Sequence, residues 1–193
     1  MRDVTRHEML IVLKIFKTPE REFNANSISK ETGLTPMGAL KILKRLEKEG
    51  VLAPKAAGKA TFYRLNFGND YTRGYVKFAL ENEAKHSPPY VRRWVNEIRK
   101  LKNADAAILF GSVLQKGSKA HDIDVLAVTD QNKFGKLKAE ITELNKINEK
   151  HIHVVYQSLE DLQNNIAKQD KIVLSALKGI VAFGEGTLTE TIK

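Results

Sequence analysis

The sequence contains no cysteine. Disulfides, thiolate zinc sites and a cysteine nucleophile are therefore excluded, and the composition fits a cytoplasmic protein. It also lacks any apolar run of the ~18 residues that a helical membrane span needs. The opening segment, MRDVTRHEML, spreads its charges throughout and has no uncharged core of the kind a secretory signal carries. Internal repeats and low-complexity tracts are absent. What remains is ordinary globular chain: 42% of its 193 residues are hydrophobic and 28% charged, enough for a packed core in one domain or two small ones.

Charge is the first positive signal. The formal net charge is +9 and the sequence pI about 9.6. Such a balance suggests polyanion partners, whether DNA, RNA or nucleotides, although a lysine-rich solvated surface produces the same figure.

Residues 4–17 place Val4, Met9, Leu10, Val12, Leu13, Ile15 and Phe16 at helical spacing, and Thr18-Pro19 ends the segment. Asn26-Ser27 is expected to cap a short helix that stops at Gly33. Thr35 then caps a third, with Pro36 at its first position and Gly50 at its close; Leu40, Leu43 and Leu46 mark the expected buried face. Two β-prone runs follow, Val51-Leu52-Ala53 and Thr61 to Leu65, around a turn at Lys55 to Lys59. Three helices followed by a hairpin is the order of a winged helix-turn-helix. Residues 69–102 read as helical, broken at Ser87-Pro88-Pro89 because a residue before proline leaves the α region. Val91, Trp94, Val95, Ile98 and Leu101 share one face of the second helix, and Trp94 reads as an anchor.

The pattern changes after residue 104. Short apolar runs at 106–110, 122–128 and 152–156 read as strands, and 133–150 as an amphipathic helix. Residues 158–167 and 170–183 read as two further helices. The expected fold class is α+β in two domains: a winged helix-turn-helix over 1–68, a helical linker over 69–103, and an α/β domain with a small mixed sheet over 104–193.

Chemistry concentrates in FGSVLQKGSKAHDIDVLAV, residues 110–128. Gly111-Ser112 follows a strand, where backbone N–H groups and a hydroxyl suit phosphate oxygens. Asp122 and Asp124 alternate along the next strand, so both carboxylates face one way. Two like charges that close are costly unless a cation bridges them, and magnesium uses one or two carboxylates together with substrate phosphates.

Gly-Ser, a short loop and then Asp-x-Asp resemble the DNA polymerase beta-like nucleotidyltransferase superfamily, most of all its minimal prokaryotic members, over roughly residues 104–185. The resemblance implies that Gly111 and Ser112 hold the triphosphate; apart from it, Lys116 in the loop is a candidate to grip phosphates. The resemblance implies that Asp122 and Asp124 bind Mg2+ or Mn2+. The reaction would transfer a nucleoside monophosphate from an NTP to an acceptor. Three departures stand out. His121 precedes the Asp-x-Asp where serine is frequent, and Gln115-Lys116-Gly117 replaces an arginine before glycine. The strand HIHVVYQ carries no third carboxylate; His153 is its positional match, and a histidine can act as base or ligand near neutral pH. The catalytic set expected from sequence is thus Asp122, Asp124 and His153.

In the first half, the helix after Thr35 would read DNA through Thr35, Met37, Lys41, Lys44 and Arg45, with Lys59 and Arg64 in or beside the wing. Lys116 and Lys119, like these lysines, also fit a solvated surface. Phe62, Tyr63 and Tyr71 read as packing residues. Three functions are compatible with the whole: a metal-dependent nucleotidyltransferase with a DNA-binding winged helix, a regulator that senses nucleotide without turnover, and an antitoxin-like minimal nucleotidyltransferase beside a separate toxin. The expected partners are an NTP, double-stranded DNA, a protein partner or acceptor, and a second copy in a homodimer; no membrane is expected.

Overall fold

The structure, a computed structural model, describes residues 3–192. Its contacts divide the chain into two compact units, one within residues 3–79 joined by Ile192, the other Leu80–Thr191.

The first unit begins with α1 (Arg6–Lys17), α2 (Ala25–Thr32) and α3 (Pro36–Lys48), followed by β1 (Leu52–Ala57) and β2 (Ala60–Leu65). Local chemistry fixes each helix start. Thr5 and Glu8 form a reciprocal capping box on α1. Asn24 and Ser27 form another on α2, so the cap lies two residues before the Asn26-Ser27 read from sequence. Asn24 wins because its carboxamide accepts the Ser27 N–H at 2.9 Å while the Ser27 hydroxyl accepts the Asn24 N–H at 2.9 Å. Thr35 caps α3 by accepting the Gly38 N–H at 3.1 Å.

α3 buries Ala39, Leu43 and Leu46. Leu40, expected in that stripe, is 37% exposed. Ala39, Leu43 and Leu46 follow the i, i+4, i+7 spacing, which turns Leu40 to the edge of the face. There Leu40 lines a hollow with Asn24, Lys44, Lys59 and Tyr63. The hairpin differs from expectation too. β1 continues through Lys55 to Ala57, and the turn is only Gly58-Lys59, with Gly58 at φ +59°. A two-residue turn with a left-handed glycine matches the twist of the strands it joins. Phe23 extends the pairing by accepting the Tyr63 N–H at 2.8 Å.

The sequence pattern sets 69–103 apart as a linker. In the structure, α4 (Asp70–Lys85) runs across the division between units, and α5 (Pro89–Ile98) contributes Val91, Trp94, Val95 and Ile98 to the core of the second.

That second unit continues with β3 (Ala106–Phe110), the single turn α6 (Val113–Lys116), a 3-10 turn (Gly117–Lys119), β4 (Asp122–Val128) and α7 (Gln131–Ile147). It then runs through β5 (His151–Gln157), α8 (Leu159–Ala167), α9 (Lys171–Leu177), β6 (Ile180–Phe183) and α10 (Glu185–Thr191). The strands form one mixed sheet in the order β5-β4-β3-β6. β4 and β5 are parallel across the α7 crossover, and the other pairs are antiparallel. The single helix expected over 170–183 is therefore corrected to a helix, a break and an edge strand. Gly179 makes the break: a Cβ there would lie 2.3 Å from the Leu109 carbonyl oxygen, so only glycine lets the chain approach β3.

Strand alternation sorts the sheet into two faces. Ala107, Leu109, Ile123, Val125, Ala127 and Ile152 pack in one core with α5 and α7. The opposite face meets α8, α9 and α10, which bury Leu162, Val173, Ala176, Leu177 and Leu188. Asp122 and Asp124 alternate with Ile123 and Val125, so they belong to this second face, at the start of β4.

Candidate functional site

The site grows from the end of β3. Phe110 is its last residue, and Gly111 turns the chain at φ +78°. Side chains rarely adopt that conformation, and space forbids one as well: a Cβ on Gly111 would lie 2.0 Å from Asp124 Oδ2. The bare glycine therefore places backbone directly against the Asp124 carboxylate. Ser112 follows with no capping hydrogen bond from its side chain. The first bond of α6 runs from the Leu114 N–H to the Gly111 carbonyl at 3.3 Å, which leaves the Ser112 and Val113 N–H groups outside the helix ladder. α6 is only four residues long, so its pull on an anion rests on those groups and the hydroxyl rather than on a long dipole.

β4 carries the carboxylates into the same place. Asp124 pairs in register with Phe110 on β3 and with His153 on β5, and Asp122 pairs with His151. Residues paired across parallel strands face the same way, so both histidines join both acids on one face. His153 Nδ1 lies 3.8 Å from Asp122 Oδ2. One ligand atom from each of Asp122, Asp124 and His153 lies within 4.8 Å of the others, the one cluster of this kind among the described residues. The His151 ring meets the His153 ring edge to face at 5.1 Å. His121 is exposed and lies outside the cluster.

Electrostatics agree with the geometry. Burial, and then the neighbouring Asp122 charge, push the Asp124 carboxyl above the usual range, and His153 pulls the other way. An ionised pair held like this is relieved by a cation. Two carboxylates and an imidazole form a donor set that fits a divalent metal ion, and all three residues are reachable from solvent.

A groove of about 320 Å³ includes Gly111, whose backbone lies against Asp124, and is further lined by Ser112, Leu114, Gln115, Ser175, Lys178 and Gly179. Its cation is Lys178, at the end of α9; Lys116 and Lys119 are exposed on the loop and do not line it. Sequence reasoning missed Ser175 and Lys178. Their signal was the Lys178-Gly179 pair before an apolar run, hidden while 170–183 read as one helix.

The candidate DNA-reading residues are less uniform. Thr35, Met37 and Lys41 are exposed on α3, with Met37 at 64%. Lys44 is exposed but holds Glu47 at 2.9 Å. Arg45 differs: its Nη2 holds the fully buried Glu8 of α1 at 2.7 Å, an internal ion pair. Lys59 is exposed in the hairpin turn and borders the same hollow as Lys44, whereas Arg64 lines a different pocket on the other side of β2.

Comparison with known proteins finds that residues 91–181 match the family model described as a nucleotidyltransferase domain. The match takes in α5 from Val91 onward, the whole cluster and the groove. A search of curated proteins finds no match. Two mutant structures of Lactococcus lactis ZitR show similarity at 16% and 11% identity, covering 52% and 51% of this chain and 62% and 73% of theirs. Their TM-scores are 0.35 and 0.32, too low to carry an argument about fold or function.

Proposed function

We propose that the second unit binds a nucleoside triphosphate with a divalent ion and transfers the nucleoside monophosphate to an acceptor. The observation that carries this reading is the backbone of Gly111 set directly against Asp124, within the segment that matches nucleotidyltransferase domains. Asp122 and Asp124 would hold the ion, and the Ser112 hydroxyl with the adjoining N–H groups would hold phosphate oxygens. Ser175 and Lys178 border the same groove and would steady the triphosphate tail. A bound divalent ion supplies positive charge for the phosphates and the departing pyrophosphate. The acceptor oxygen bonds to the α-phosphorus, the bond to pyrophosphate breaks with its electron pair leaving on pyrophosphate, and the acceptor proton passes to solvent water. The geometry of this chain contributes position rather than covalent chemistry.

The first unit would bind duplex DNA as a winged helix-turn-helix, with α3 as the reading helix. Supporting this are the exposed Thr35, Met37 and Lys41 at its N-terminal half, and Lys59 in the hairpin turn. Arg45 is given a structural role instead, since its head group is engaged with Glu8.

The transfer reading is tested with α-phosphate-labelled nucleotide, a divalent ion and a cell extract as acceptor source. Label should appear on an acceptor with wild-type protein and fall at least ~100-fold in Asp122→Ala/Asp124→Ala. Tight nucleotide binding with no labelled acceptor under any metal would favour a nucleotide sensor.

A further inference from the structure

We infer that His153 is a metal ligand, and that it makes this site select a first-row transition-metal dication over Mg2+. The inference rests on the metal-site reading above and deepens it. Three observations lead to it. First, the corner of the cluster opposite the two acids is filled by imidazole; the cluster is Asp122, Asp124 and His153. Second, the distances suit a shared ion. Three atoms within 4.8 Å of one another share a central point no more than about 2.8 Å from each, close to metal–ligand bonds of about 2.0–2.2 Å. Small side-chain rotations close the difference. Third, the His151 ring meets the His153 ring edge to face, and His153 Nδ1 lies 3.8 Å from Asp122 Oδ2, on the side where the ion would sit.

Ligand chemistry then decides the ion. Mg2+ demands oxygen donors in near-ideal octahedral geometry and gives up water reluctantly. Imidazole suits transition ions, whose affinity for mixed nitrogen and oxygen sites rises from Mn2+ through Co2+ to Ni2+. An imidazole nitrogen, unlike a carboxylate oxygen, brings no negative charge to the ion, and that charge matters most to a hard ion such as Mg2+. The histidine thus weakens the site for Mg2+ and strengthens it for Co2+ or Zn2+.

The test titrates the full chain, without nucleotide, with Co2+ and separately with Mg2+, followed by calorimetry and by visible absorption of the bound Co2+. Wild-type protein should bind Co2+ at least about 100-fold more tightly than Mg2+. His153→Asp should shrink that ratio at least tenfold and change the Co2+ spectrum, while His86→Ala, a histidine outside the cluster, should alter neither. Equal affinities for the two ions in wild type, or a ratio indifferent to His153→Asp, would overturn the inference. If a variant fails to fold, the wild-type ratio still decides. A parallel titration with a nucleoside triphosphate analogue and Mg2+ separates the two readings. Mg2+-dependent binding lost in Asp122→Ala, with no preference for Co2+, defeats only this inference. No metal-dependent nucleotide binding under any ion defeats the proposed function as well.

Discussion

The two candidate sites are built on opposite principles. In the second unit, Gly111, Asp122, Asp124 and His153 are each held in place by backbone register or by a space that admits no other residue. In the first, the cations of α3 sit on a helix surface, and two of them are already engaged by Glu47 and Glu8. Electrostatics point the same way. Glu31 in the first unit is lowered to about 2 by hydrogen-bonded pairing with Lys14 and Arg21, while Asp124 in the second is raised by burial. The Glu31 carboxylate is paired; the Asp124 carboxyl, proposed to hold the ion, is left at a cost that a ligand can relieve.

The largest effect should come from the tightest point. Gly111→Ala sets a methyl group against Asp124 at a left-handed φ. We expect metal-dependent nucleotide affinity to fall at least ~100-fold, equivalent to about 2.7 kcal/mol, as read by calorimetry. Retained affinity would show that the close approach is not part of the site. Next is Arg45→Ala. Buried pairs that lose one partner cost about 3–5 kcal/mol, and because Arg45 is 39% exposed we expect about 1–3 kcal/mol in urea unfolding. Unchanged stability would return Arg45 to the DNA-reading set.

Much of this contrast was legible in the sequence, and the rest was not for physical reasons. Asp-x-Asp on a strand fixes a shared face from side-chain period alone, and Gly-Ser after an apolar run marks a phosphate-type turn. The mixed sheet followed from the same runs. Ile180 to Phe183 was missed because a four-residue apolar run has no decisive period, and its strand state depends on pairing with β3. Leu40 was misplaced because a helical stripe read from leucines overlooks that Ala39 can be the buried residue. Arg45 could not be assigned to Glu8 from sequence, since the pair joins two helices 37 positions apart by numbering.

Smaller effects sharpen the comparison further. Lys41→Ala and Lys44→Ala should leave unfolding midpoints nearly unchanged. Each should weaken duplex DNA binding several-fold and lower the log–log salt slope by about 0.9 for each phosphate the protein no longer neutralises. Binding that ignores salt would remove α3 as a DNA face. The smallest effect is at Glu31. Its folded pKa of about 2 lies below the ordinary glutamate value of 4.5, so its stabilising contribution is full above that value and declines as pH falls toward 2. Glu31→Gln should cost less than about 1 kcal/mol at neutral pH, because the pair is solvent-accessible, and the difference should vanish near the folded pKa. Asp124→Asn should show the reverse sign, since its raised carboxyl favours the protonated fold: metal-free stability at neutral pH should hold or rise.

The most direct test of the central claim is equilibrium binding of a non-hydrolysable nucleoside triphosphate analogue to the full chain, with and without a divalent ion. Binding should require the ion and disappear in Asp122→Asn/Asp124→Asn while the fold is retained. Binding that is equally strong without the ion, or unaffected by that double substitution, would contradict the claim.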